Sequence, residues 1–115
     1  MNRFVLTNNP RVLASYPAAR WIDGGRDEVL LECRSMVHEF YPLLTHPLIG
    51  DVRLIRNPFR TVLLGEKRRE VDLTSVKWIE ESIDRLQLHF EEDQRVEHHE
   101  DYQIIDFDLF QTAIK

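Results

Sequence analysis

The sequence is poor in cysteine, in glycine and in long apolar runs, and each shortage excludes a class of protein. Cys33 is the only cysteine in 115 residues, so an internal disulfide and an all-thiolate zinc site are both out of reach. A reducing cytosol is the simplest compartment for such a chain. There are four glycines, and the adjacent pair Gly24-Gly25 lacks the lysine of a phosphate loop and the spaced glycines of a dinucleotide fingerprint. A turn is the reading that remains. No run approaches the roughly 18 apolar residues of a membrane-spanning helix. The opening Phe4-Val5-Leu6 is too short for the core of a signal peptide. The expectation is a cytoplasmic protein that does not enter a membrane.

The composition that is present, 43% hydrophobic and 30% charged, is that of a folded globular chain. Its length predicts one domain, residues 1–115. The net charge of −5 argues against nucleic acid or an anionic membrane surface as a partner. That charge is unevenly placed. Residues 1–79 carry a net +3 and residues 80–101 a net −7, so a mildly basic body precedes an acidic segment that reads as solvated. The triplet Lys67-Arg68-Arg69 is flanked by Glu66 and Glu70 and is compensated locally.

Strand-like and helix-like segments alternate. Residues 3–7 are rich in strand formers and stop at Asn8-Asn9-Pro10. Pro10 opens a short helix over 10–16. Residues 19–23 read as a second strand, ended by Gly24-Gly25. Val29, Leu30, Cys33, Met36, Val37 and Phe40 form one apolar stripe on a helix over 26–41, which Pro42 terminates. Leu43-Leu44-Thr45 reads as a very short strand, 46–59 as an irregular connection and 60–64 as a strand. Asp72 is placed to cap a helix over 73–93. Residues 102–107 read either as a last strand or, with Asp106 or Asp108 as cap, as a closing helical turn through Ile114. This order predicts an α/β fold. The expected form is a small three-layer sandwich with a mainly parallel sheet of four or five short strands.

In such sheets ligands bind beyond the carboxyl ends of strands. Asn8 and Asn9 follow one predicted strand, and Thr45 and His46 follow another. Arg53, Arg56 and Arg60 lie in or beside the long connection, where their guanidinium groups suit carboxylate or phosphate oxygens. These seven residues are the candidate site for a small anionic ligand. The competing reading is structural, because Asn before Pro makes turns and caps helices. Cys33 sits on the apolar stripe and reads as an inert buried thiol. The serines all fall on helices rather than at a strand-to-helix elbow, so no nucleophilic triad is indicated. His89, Glu92, Asp93, Glu97, His98, His99 and Glu100 are metal-type residues without a recognised spacing, and no metal or other cofactor is implied. Trp78 reads as the edge of the long helix's core face, with docking of a partner or of a second copy as the alternative.

Five segments in order, TNNP (Thr7–Pro10), LLTHPLIGD (Leu43–Asp51), NPFRTVLL (Asn57–Leu64), DLTSVKWIEESID (Asp72–Asp84) and DYQIIDFDL (Asp101–Leu109), resemble the GrdX family. These are small bacterial proteins associated with glycine, sarcosine and betaine reductase operons. The resemblance implies an accessory role, with a small anion or a reductase component as partner, and brings no catalytic residue with it. The alternatives are a small enzyme using His46 as general acid or base, and a pure interaction module.

Overall fold

Strand β1 (Phe4–Thr7) is the centre of the sheet and is buried along nearly its whole length. A computed structural model gives the conformation of residues 3–48, 57–88 and 99–114. β1 runs parallel to β2 (Arg20–Trp21) and antiparallel to β3 (Thr61–Leu64), in the order β2-β1-β3. Among the described residues the sheet therefore has three strands and one parallel pair, fewer and less parallel than the four or five anticipated. Leu43 forms only an isolated bridge to Leu64. There Thr45 Oγ1 takes the hydrogen bond of Leu63 N at 3.0 Å, a bond that a partner strand's carbonyl would otherwise accept.

Alternation along the strands sends side chains to both faces, and both faces are covered. Leu6, Val62 and Leu64 pack with α2 (Arg26–His38) and α3 (Leu73–Leu88). Val5 and Leu63 pack with Val12 of α1 (Pro10–Ser15) and Phe110 of α4 (His99–Ala113). Helices on either side of an α/β sheet are what the alternating segments led one to expect.

Local chemistry explains most element ends. Gly24 has φ +150°, and a Cβ there would lie 2.7 Å from Glu28 Cγ. Glu28 in turn reaches back to Gly25 N at 2.8 Å and satisfies an orphan donor at the start of α2. Gly24→Ala should therefore cost about 1–2 kcal/mol in urea denaturation, because it meets both a left-handed backbone and the capping side chain. Asp72 caps α3 by accepting from Ser75 N at 3.1 Å. Helix α2 ends three residues before Arg26–Tyr41 was expected to close. Tyr41 N bonds Met36 O and Phe40 N bonds Val37 O, with Phe40 at φ 80°. This is a Schellman ending with phenylalanine in the position usually given to glycine.

The largest departure is α4. Residues 102–107 are neither a strand nor a single closing turn but the middle of this helix. Its inward stripe holds Gln103, Asp106, Phe107 and Phe110, while Ile104 and Ile105 face outward. Polar residues inside and isoleucines outside hide a helical period.

Candidate functional site

The carboxyl end of β1, the approach to β3 and the flank of α4 meet in one buried polar cluster. Thr7 and Thr61 are direct cross-strand partners. Thr61 Oγ1 donates to Asp106 Oδ2 at 2.7 Å, and the two threonine hydroxyls lie 2.8 Å apart. A hydroxyl has one proton, so Thr7 must be the donor to Thr61. Thr7 Oγ1 also accepts from Asn9 N at 3.0 Å. The result is a directed chain from the Asn9 amide through two hydroxyls to the carboxylate, in which each bond polarises the next.

Two Asn-Pro turns clamp α4 onto this end of the sheet in the same way. Asn9 Oδ1 accepts from Arg11 N, which caps α1, and its Nδ2 donates to Gln103 O at 3.0 Å and Asp106 Oδ2 at 2.9 Å. Asn57 Oδ1 accepts from Phe59 N, and its Nδ2 donates to Tyr102 O at 2.9 Å. Both asparagines are fully buried. Asn8 joins three loops. Its Nδ2 donates to Gly24 O and Pro58 O, and its Oδ1 accepts from Arg60 N.

Asn8 and Asn9 are thus brought to one end of the sheet, Thr45 lies along the β3 edge beside Leu63, and the polar atoms of all three meet protein partners. His46 and Arg60 have a different setting. With Pro47, Thr61, Asp106, Leu109 and Phe110 they line a cavity of about 20 Å³, room for one water or one oxygen of a larger group. Arg60 is buried. Desolvation pulls its guanidinium down to about 10, and Asp106 opposes that shift while Arg26, also buried, adds to it. At neutral pH it remains a cation. Burial pushes the Asp106 carboxyl up, against the lowering effect of Asn9, Thr61 and Arg60. Arg53 and Arg56 lie outside the described residues.

The His46 ring packs at 5.3 Å from that of Trp78, and its Nδ1 accepts from Leu48 N at 3.0 Å. A neutral ring in that bond carries its proton on Nε2. Desolvation lowers its pKa from the ordinary value of 6.5. A histidine depressed in the folded state gives stability that is present above 6.5 and is lost as pH falls through the folded value. His46→Gln should therefore flatten the fall in stability below that pH, measured by urea denaturation across the acid range.

Trp78 is half-buried against the α2–α3 core, as its place on the helix suggested. Burial pushes the Cys33 thiol up to about 12, which removes it as a nucleophile at neutral pH. Of the metal-type cluster only His99 and Glu100 fall within the described residues, and no group of metal-type side chains converges among those residues. No described helix is long and apolar enough to cross a membrane. Reasoning from sequence missed Thr7, Asn57, Thr61 and the tie made by Asp106. The repeated Asn-Pro dipeptide was the available signal for Asn57.

The fold and this cluster define a small α/β protein with helices on both faces of a short mixed sheet and a hydrogen-bonded polar end. A model of the family described as GrdX-like protein matches residues 4–115, and the chain belongs to that family. No curated protein and no solved structure gives a match.

Proposed function

We propose that the protein is a noncatalytic, cytosolic accessory component of glycine, sarcosine and betaine reductase systems. In this reading it acts by holding a small anion, or a carboxylate of a reductase component, at the polar end of the sheet. Membership of the GrdX-like family supports the association. The observation that carries the binding reading is the cavity between His46, Arg60, Thr61 and Asp106. It is the size of one oxygen, and it has a guanidinium and an imidazole in its wall. Asn8, Asn9 and Thr45 serve as the rigid platform, Arg60 as the anchoring cation and the His46 Nε2 proton as the second donor. Arg53 and Arg56, which lie outside the described residues, are retained in this proposal as further cations for the same anion.

Catalysis by His46 is the weaker reading, because its pKa is lowered and the Thr61 hydroxyl that shares its cavity is already committed as a donor to Asp106. The test is a titration with acetyl phosphate, glycine and betaine, followed by the His46 imidazole resonances and by thermal denaturation. The expected result is a saturable shift with one of the three, lost in His46→Gln. A linear or absent response to all three contradicts the anion reading.

A further inference from the structure

The opposite end of the sheet holds a second concavity, unrelated to the polar cluster. Phe4, Arg20, Met36, Tyr41, Glu66 and Lys67 line a groove of about 460 Å³, within the roughly 300–1,000 Å³ range of small-molecule sites. Phe4, Met36 and Tyr41 form its apolar wall. The Phe4 and Tyr41 rings meet edge to face, 5.5 Å apart at 87°. Arg68 N bonds Phe40 O and Gly65 N bonds Pro42 O, each at 2.8 Å, which ties the segment after β3 to the turn after α2. A Cβ on Gly65 would lie 3.1 Å from Pro42 Cγ, so the approach leaves little room for a side chain there. Phe40, held at φ 80°, is the residue that delivers Tyr41 to the groove. A left-handed non-glycine backbone costs free energy and persists where surrounding bonds enforce it.

The polar groups at this groove are mostly donors. Arg20 Nη2 is paired with Glu32 at 2.8 Å, but Nη1 has the thioether of Met36 as its partner, at 3.8 Å. Sulfur is a weak acceptor, so a carboxylate oxygen is a better partner for this nitrogen. Lys67 Nζ stands over the Tyr41 ring, 5.8 Å from its centre, and brings a second cation to the same wall. Glu66 is the acid among the lining residues and disfavours a ligand with more than one negative charge.

We propose that this groove binds a small organic monocarboxylate with an aromatic or branched apolar body. The body lies against Phe4, Met36 and Tyr41, and the carboxylate sits between Arg20 and Lys67. The inference does not rest on the proposed function, since its residues and those of the His46 cavity are at opposite ends of β1 and do not overlap.

Phenylacetate titrated into the full chain, followed by two-dimensional amide NMR, tests it. Saturable shifts are expected at Phe4, Tyr41 and Lys67, with a dissociation constant of about 5 mM or tighter. Phenylacetamide should bind about tenfold more weakly, as should phenylacetate to Arg20→Gln or Lys67→Met. Both replaced side chains are solvent-accessible, and unchanged dispersion of the remaining resonances confirms that each variant is folded. Absence of saturation by about 50 mM overturns the proposal. So does equal affinity for the amide, equal affinity of both variants, or shifts centred on His46 instead.

Discussion

Replacing Asn9 by alanine should destabilise the protein by about 3 kcal/mol, read as a lower urea midpoint. The cap of α1 accounts for about 1 kcal/mol of this. The remainder comes from Nδ2, which is fully buried and bonds both a carbonyl and a carboxylate of α4. Losing a bond to a charged group and leaving a buried acceptor short costs about 1.5–3 kcal/mol. A residue whose only business was ligand binding would leave the midpoint almost unmoved. Asn9 therefore separates the platform role from the direct-contact role that its place after a strand suggested.

Asp106 should be costlier still. Asp106→Ala removes the acceptor for Asn9 Nδ2 and for the Thr61 hydroxyl, and takes a carboxylate from beside the buried Arg60. Removing a buried carboxylate that accepts two buried donors and neighbours a buried cation costs about 3–5 kcal/mol, the range found when one side of a buried charged interaction is deleted. Asp106→Asn keeps an acceptor in place and should cost less. The two also differ in pH dependence. Burial raises the Asp106 pKa in the folded state above the ordinary 3.8. The native protein then holds its proton over a range in which the unfolded chain has lost it, so this group's contribution falls as pH rises from about 3.8. The advantage of the natural protein over Asp106→Asn should grow as pH is lowered toward that value. A difference that shrinks on acidification would mean that the carboxylate's bonds, and not its burial, dominate its ionisation.

These expectations mark where the sequence was readable. Strands β1 and β3, the turn at Gly24-Gly25, helix α2 and the Asp72 cap follow from local signals, each carried by a few neighbouring residues. Helix α4 does not. Its inward stripe includes half-buried Gln103 and buried Asp106, and the Asp106 carboxylate is satisfied by partners 45 and 97 residues away. Ile104 and Ile105, in contrast, face out. A pattern rule that puts isoleucine inside and aspartate outside must misread this segment. The same long-range chemistry explains the candidate site. The strand-end rule located Asn8, Asn9, Thr45 and His46 at or near one functional-looking end of the sheet. It had no means of seeing that Gly24, Pro58, Gln103 and Leu63 would use up the polar atoms of the first three. His46 and Arg60 remain on the cavity wall because their neighbours there are side chains of α4, an element whose docking depends on the very asparagines in question.

The claim that the strand-end asparagines build the platform while the cavity wall makes the contacts is tested most directly by a double-mutant cycle. Asn9→Ala, Asp106→Ala and the pair would be compared by urea denaturation at neutral pH. Because the two side chains share one buried bond, their effects should fall short of additivity by more than about 1 kcal/mol. Additivity within about 0.5 kcal/mol would show that Asn9 and Asp106 act separately, and the account of a tied platform would be wrong.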